Sequence, residues 1–146
     1  MSNIVSILYF KSIIYFSRIH RTILLMSNGR FMNKLVGLNM LLLSTTGRRT
    51  GQIKDTPLLY LEDKGTYYCV ASFGGNDRHP QWFMNLVAHP RVQLLVRQRR
   101  FAATAYVTSG EERNEAWRSL TKYYPPFAKY QDRTNRIVPV VRLDPD

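Results

Sequence analysis

From Leu38 onward the chain breaks into six short apolar runs, 40–46, 53–61, 66–73, 92–97, 101–108 and 137–143, separated by turn residues. Runs of this length, rich in Val, Ile, Thr and aromatic residues, fit strands better than core helices. Alternation is partial in Val92-Gln93-Leu94-Leu95-Val96 and Ala103-Thr104-Ala105-Tyr106-Val107, with Arg97-Gln98-Arg99-Arg100 as the hairpin tip between them. About six antiparallel strands are expected, in a meander that closes into a barrel. Two helices interrupt it. One runs over 80–88, with Pro80 in its opening turn, His89-Pro90 at its end and Trp82, Phe83 and Leu86 facing inward. The other starts at Ser109, where Glu112 completes a capping box, and carries Ala116, Trp117, Leu120 and Tyr124 on one stripe until Pro125-Pro126. At 146 residues the chain has room for a single core. The fold class expected is mainly β with helices (α+β), preceded by an N-terminal helix.

That helix is expected over 4–26, stopped by Asn28-Gly29. Lys11, Arg18, His20 and Arg21 interrupt it before a bilayer-length apolar run develops. On a helix, Ile4, Val5, Leu8, Tyr9, Tyr15, Phe16 and Ile19 share a broad face, with Ser6, Lys11 and Arg18 mostly opposite. Three readings stay open: a helix packed on the domain, a basic helix lying on an anionic membrane surface, or an organellar transit peptide, acid-poor with Arg and Ser. The order of charge, apolar segment and small-residue cleavage site that marks a secretory signal is missing. The expected location is cytoplasmic, with peripheral attachment to the inner face of the cell membrane as the second option.

Charge narrows the partner. Lys and Arg number 21 against 10 acids, for a formal net charge of +11, and no Asp or Glu precedes Asp55. An anionic partner follows, whether nucleic acid, an anionic lipid surface or a phosphorylated small molecule. Cys69, the single cysteine, sits in the apolar run Tyr67-Tyr68-Cys69-Val70-Ala71 and reads as a small buried hydrophobe. His20, His79 and His89 are scattered, and no HExxH or GxSxG motif occurs, so no metal site or hydrolase constellation is expected. His79 and His89 each precede proline at a helix boundary and read as boundary residues.

The strongest local signal is Ser44-Thr45-Thr46-Gly47-Arg48-Arg49-Thr50-Gly51-Gln52, a strand end running into a turn. Glycine lets backbone N–H groups approach an anion, guanidinium offers paired donors that match phosphate, and Lys54 adds a point charge. A solvated basic hairpin tip would have the same composition.

The surroundings of that turn carry a resemblance. Thr56-Pro57-Leu58-Leu59-Tyr60, Val70-Ala71-Ser72-Phe73-Gly74-Gly75, His79-Pro80-Gln81-Trp82-Phe83-Met84-Asn85-Leu86, Ala88-His89-Pro90-Arg91-Val92, Glu111-Glu112-Arg113, Tyr124-Pro125, Tyr130-Gln131, Asp132-Arg133-Thr134 and Ile137-Val138-Pro139-Val140-Val141 follow in the order seen in the deazaflavin (coenzyme F420)-dependent nitroreductase and quinone reductase family. The chain resembles that family over roughly 40–145. The resemblance implies a split β-barrel, FMN-binding-barrel-like, over 37–146, with 1–36 as a basic amphipathic N-terminal helical segment. It implies an oxidoreductase that passes a hydride from reduced F420 to a quinone-like or nitroaromatic acceptor. By position, Arg48, Arg49, Thr50, Lys54, Pro57, Val70, Ala71, Ser72, Trp82 and Asn85 would bind the cofactor; Leu59 and Phe127 would line the substrate pocket; Tyr124, Tyr130 and Ser72 would take part in catalysis. Trp82 equally suits a core anchor. Phe73 stands where relatives often carry lysine, and Leu59 where they can carry an aromatic. Two other functions stay open, a non-catalytic carrier of a planar cofactor and a basic nucleic-acid-binding barrel, although nucleic acid is not the expected partner.

Overall fold

The computed structural model describes residues 4–27, 34–35 and 37–146. The chain runs α1 (Ile4–Met26), β1 (Lys34–Leu35), β2 (Leu38–Thr46), β3 (Ile53–Leu59), β4 (Leu61–Asp63), β5 (Thr66–Val70), a 3-10 turn (Phe73–Gly75), α2 (Gln81–Ala88), β6 (Arg91–Val96), β7 (Arg99–Val107), α3 (Gly110–Tyr123), α4 (Pro126–Asp132) and β8 (Val140–Pro145). The strands lie in the order β1-β2-β6-β7-β8-β5-β4, with β3 also paired to β2 and every pairing antiparallel.

Among the described residues eight strands stand where about six were expected from the periodicity. The additions are the two-residue β1 and a split of the run 53–61. Tyr60, almost wholly buried, is the corner of that split. Before it β3 pairs with β2; after it β4 pairs with β5 at the other end of the sheet. Successive strands at opposite ends of one sheet curl it into a split barrel. The hairpin tip is also tighter than read: Arg97 and Gln98 both have positive φ, a two-residue turn, and Arg99 and Arg100 join the ladder opposite Val96 and Leu95. Pro57 sits in β3, whose one pairing is to β2, so its missing N–H costs no second ladder.

Strand alternation sorts the core. Leu41 and Leu43, Leu94 and Val96, Cys69, Val141 and Leu143 fill the barrel with Trp82, Phe83 and Leu86 of α2. The opposite parity sends Val70 and Val140 to a second cluster under α3 and α4 with Leu120, Phe127 and Val138. Leu42 and Leu95 form a third with Leu24 of α1.

Three sequence expectations need correction. Ser109 is the N-cap of α3 but makes no side-chain capping bond, and Glu112 instead accepts a 2.7 Å hydrogen bond from Arg142 of β8. An ion pair to a neighbouring strand has taken the carboxylate that the capping box would use. Pro125-Pro126 ends α3 and also opens α4, a helix beyond the two expected among the strands, because proline is tolerated in a first helical turn. In α1 the face turned to the domain is Tyr9, Phe10, Ile13, Ser17, His20, Arg21 and Leu24, whereas Ile4, Val5, Leu8, Tyr15, Phe16 and Ile19 are exposed. Apolar residues occur almost all round this helix, so periodicity did not select a face. The expected stop at Asn28-Gly29 lies outside the described residues. No described helix is long and apolar enough to cross a membrane.

The connection after β5 is held mainly by Arg136, with Arg133 donating to Gly74 O (3.2 Å) and Thr134 to Asp77 (2.8 Å). Arg136 donates to Asn76 O (2.8 Å), Ser72 O (2.8 Å) and Ala71 O (3.3 Å), and lies 3.2 Å from His79 Nδ1. His79 stacks on Phe83 at 4.8 Å, so the boundary histidine joins the loop to α2. Burial, and then the charge of Arg136, hold its imidazole below the usual histidine range.

Two outcomes follow. Leu24→Ala should lower stability by about 2–4 kcal/mol in urea denaturation, because it opens the contact that pins α1 to the sheet; an unchanged midpoint would show that α1 contributes no packing. His79 binds its proton less readily folded than unfolded, so its contribution is complete above the ordinary histidine pKa of about 6.5 and is lost as pH falls below it. Stability should therefore drop between about pH 7 and pH 5, and less steeply in His79→Gln. Parallel pH curves for the two proteins would remove the histidine from the account.

Candidate functional site

Between α1, the outer part of β3, α2 and the α3–α4 corner lies a cleft of about 1090 Å³. Sites for drug-sized ligands run from roughly 300 to 1,000 Å³, so this one admits a large, elongated molecule.

One end is basic. Thr46 and Ile53 close the β2–β3 ladder, and the turn between them is fixed by Gly47 N–H donating to Gln52 O (2.7 Å) and Gly51 N–H to Gly47 O (2.8 Å). A Cβ on Gly47 would lie 2.8 Å from Thr50 Oγ1 and 3.0 Å from Gln52 O, so the turn closes only around glycine. Gly51 has φ +70°, again a glycine conformation. Asn85 on α2 props the turn from below: its Oδ1 accepts from Arg48 N (3.2 Å) and Arg48 Nη1 (3.0 Å), while its Nδ2 lies 3.4 Å from Thr45 Oγ1. Arg48 is thus pre-oriented, and Arg49, Thr50 and Lys54 stay exposed beside it. Arg18 and Arg21 of α1 add two more cations to the lining. Among the described residues the one carboxylate in that lining is Asp55, and it accepts a 2.5 Å hydrogen bond from Ser44 Oγ.

The other end is aromatic and apolar. Lys54 and Leu59 are five residues apart on β3, about 16 Å at the usual strand rise, so the ladder itself separates the two ends. Leu59 pairs with Met40 across the ladder and packs against the cluster of Val70 with a three-ring group from the α3–α4 corner. Tyr124 and Phe127 have ring centroids 4.9 Å apart, Phe127 and Tyr130 6.3 Å, and the Tyr124 and Tyr130 hydroxyls lie 3.5 Å from each other. Burial first, then its hydrogen bonds to Tyr124 and Tyr9, push the Tyr130 phenol well above the ordinary tyrosine range. It is therefore a neutral donor at every physiological pH.

Thirteen of the fourteen residues singled out from the sequence as contacts or catalysts line this one cleft: Arg48, Arg49, Thr50, Lys54, Pro57, Leu59, Val70, Ser72, Trp82, Asn85, Tyr124, Phe127 and Tyr130. Ala71 does not. It is fully buried, its N–H donates to Pro139 O (2.9 Å) and its carbonyl accepts from Arg136, so neither backbone group is turned to a ligand. Ser72 O is likewise taken by Arg136 and Gly75 N–H, which leaves the hydroxyl as its available polar group on the cleft side. Trp82 is 6% exposed and both joins the barrel core and lines the cleft, so its two readings describe one position. Cys69 is fully buried, with its thiol pushed far up by desolvation, and takes no part.

Sequence reasoning missed the wall supplied by α1: Tyr9, Ile13, Ser17, His20 and Arg21 face the cleft. The signal was there in Ser17 and His20, polar residues at the helical spacing of Ile13 and Leu24. It also missed Asp55, Arg136 and the reason for Phe73. That residue has φ +46°, ahead of Gly74 at +61° and Gly75 at +83°, and its ring meets Phe10 of α1 at 5.7 Å.

The F420H(2)-dependent quinone reductase family model matches residues 16–145. An F420H(2)-dependent quinone reductase of Mycobacterium tuberculosis is 38% identical over 130 residues, which cover 86% of this chain and 87% of that one. Among solved structures, an F420-H2 dependent reductase is 37% identical with a TM-score of 0.67, covering 72% of this chain and 93% of its own. A domain-swapped dimer at the same identity has a TM-score of 0.68, covering 72% and 79%. A heme storage protein of Vibrio cholerae, 13% identical with a TM-score of 0.59 over 73% and 81%, shares the split-barrel fold alone. The turn suits such a cofactor on its own geometry, since the Gly47 backbone leaves no space for a Cβ and three cations flank it. This chain belongs to the F420H(2)-dependent quinone reductase family: it is an oxidoreductase and its cofactor is coenzyme F420.

Proposed function

We propose that the protein reduces quinone-type acceptors, with nitroaromatic compounds as a second acceptor class, and that the basic and aromatic ends of the cleft divide the work. Reduced F420, when bound, supplies the hydride. The observation that carries this reading is the continuity of the cleft from the Arg48–Arg49–Lys54 turn to the Tyr124–Phe127–Tyr130 cluster, with its one carboxylate already engaged by Ser44. Arg48, Arg49, Thr50 and Lys54 would grip the phosphate and acidic tail of the cofactor through charge-assisted bonds. Pro57, Val70, the Ser72 hydroxyl and Trp82 would hold the flat ring and keep water away from it. Asn85 acts through Arg48 rather than on the ligand.

At the other end, Leu59 and Phe127 offer apolar surface to a planar acceptor, and Tyr124 and Tyr130 offer neutral hydroxyls to the oxygen on which charge develops. Phe73, seated against Phe10, gives the cofactor tail no cation there, so that interaction falls to the turn and to Arg18 and Arg21 of α1. The exposed apolar residues of α1, Ile4 and Val5 at 75% and Leu8 at 59%, together with Lys11 and Arg18, favour peripheral attachment to an anionic membrane on its cytoplasmic face, where lipid-soluble quinones reside.

Binding should quench F420 fluorescence but leave that of FMN unaffected, and should weaken as salt rises; equal affinity for the two cofactors at low salt would reject the tail-gripping role. Arg48→Ala and Arg49→Ala should each cost about 1.5–3 kcal/mol of F420 affinity, with Arg48 at the upper end because Asn85 pre-orients it. At the acceptor end, Tyr124→Phe or Tyr130→Phe should keep F420 affinity and lower kcat by roughly 100-fold where the hydroxyl serves the developing charge. Phe127→Ala should raise KM alone. Unchanged steady-state constants in all three variants would remove the α3–α4 corner from the active site.

A further inference from the structure

Among the described residues five cations line the cleft, and they come from two elements: Arg48, Arg49 and Lys54 at the β2–β3 turn, Arg18 and Arg21 on α1. The ladder shows how the two groups face each other. Lys54 pairs with Thr45 and lies on the barrel side of β3, whereas Asp55 and Pro57 pair with Ser44 and Leu42 and lie on the opposite side. Leu24 packs on Leu42, so α1 covers that opposite side, and Arg21, one turn before Leu24, enters the cleft from there. β3 pairs with β2 alone, so its free edge separates Lys54 on one side from α1 on the other. Neither arginine of α1 has an internal counter-ion: no ion pair among the described residues involves them, and no acidic residue precedes Asp55 in the chain. Arg21 is half-buried and its Nε is buried without an acceptor. A guanidinium donor left so is unfavourable, and Asp55, the carboxylate in the lining, is already engaged by Ser44.

We propose that Arg21 is a further cofactor-binding residue: it holds the anionic half of F420 against the turn, across the edge of β3, with Arg18 at the exposed rim, and by doing so fastens α1 to the domain. This rests on the tail-gripping reading given above. Without that bridge α1 is seated by Leu24 on Leu42 and Leu95 and by Tyr9 and Ile13 over Gly74. Between these contacts Arg18 and Arg21 repel the cations of the turn. An anion gripped by both groups reverses the sign of that interaction, so F420 affinity and the docking of α1 rise together, as linkage requires. Arg21 is twelve residues from Tyr9, about 18 Å along the helix, close to the roughly 16 Å that separates the two ends of the cleft on β3. Tyr9 shares Arg133 with Tyr130, so the helix fastened at the basic end is the one that walls the acceptor end. A deazaflavin that ends at its ribityl alcohol, without phosphate or acidic tail, offers Arg21 no charge and would not fasten α1.

Arg21→Gln removes the charge and keeps most of the stem. Its affinity for F420, read by fluorescence quenching, should fall roughly 10–100-fold, whereas its affinity for the phosphate-free deazaflavin alcohol should equal that of the wild type; Arg21→Lys should lose less. Amide hydrogen exchange over 17–24 should slow in the wild type with F420 and not with the alcohol, and should not slow with F420 in Arg21→Gln. Wild-type F420 affinity in Arg21→Gln overturns the proposal, and so does an equal loss for both ligands, which would make Arg21 a packing residue. Should that variant not fold, exchange in the wild type decides: α1 amides protected alike by the two ligands, or by neither, overturn the clamp. The tail-gripping reading fails separately, when Arg48→Ala and Arg49→Ala bind F420 normally. Normal binding by Arg21→Gln, with those two weakened, removes the clamp alone.

Discussion

Phe73, Gly74 and Gly75 are all left-handed, and one of them is not glycine, so the connection after β5 holds a conformation that an isolated peptide would leave. Arg136 keeps it there. Its guanidinium satisfies carbonyls on Ala71, Ser72 and Asn76 at once and is itself shielded against His79. Such a half-buried cation is expensive unless its donors are matched, and here three backbone acceptors match them. The consequences spread outward. The fixed loop presents the Ser72 hydroxyl to the cleft, turns Phe73 toward Phe10, and leaves at Gly74 the space that Tyr9 and Ile13 occupy. The third wall of the cleft, α1, is thus seated on a loop held by Arg136, with Arg133 bonded to Gly74 O beside it.

Charge is arranged by a similar economy of partners. The chain carries an excess of 11 positive charges, yet its ion pairs are mostly at the surface: Arg91 with Asp146, Arg97 with Glu62, Arg118 with Glu111, Arg142 with Glu112 and Asp144. None of these pairs involves Arg48, Arg49 or Lys54. Asp55, next to Lys54 in sequence, accepts from Ser44 instead, so this carboxylate competes less for the cations around it. Surface pairs contribute little to stability, and leaving the turn without one keeps its field for a ligand.

The sequence made the barrel legible because its strands alternate around a buried side, and a period of two survives in Leu41, Leu43, Leu94 and Val96 whatever the topology. It made the basic turn legible because glycine and arginine there serve one local purpose. What it hid depended on contacts distant along the chain. The break at Tyr60 is set by the pairing of β4 with β5, the fate of Glu112 by Arg142 some 30 residues on, and the role of Asn85 by a turn 37 residues earlier. The packing face of α1 was hidden for a different reason: a helix apolar on most sides carries no preference that periodicity can detect, and docking on Gly74, Leu42 and Leu95 decides it. Ala71 was placed with its neighbours by resemblance, although strand parity and Arg136 turn it away from the cleft.

In the proposed reaction the acceptor end uses neutral groups although the protein has cations to spare, and burial explains why. A histidine or carboxylate set among Phe127, Leu59 and Val70 would lose its charged form to desolvation and titrate within the working pH range. A phenol starts with its pKa far above neutrality, and burial moves Tyr130 further from it, so its proton stays in place until an adjacent oxyanion demands it. The weakness of such an acid is then offset by two features of its setting. Arg133 lies over the rings of Tyr9 and Tyr130, where it favours negative charge on either oxygen as it develops. The Tyr124 and Tyr130 hydroxyls lie 3.5 Å apart, so charge that develops on one oxygen is shared with the other. In the proposed reaction two weak acids beside a fixed cation therefore deliver a proton without either ionising at rest.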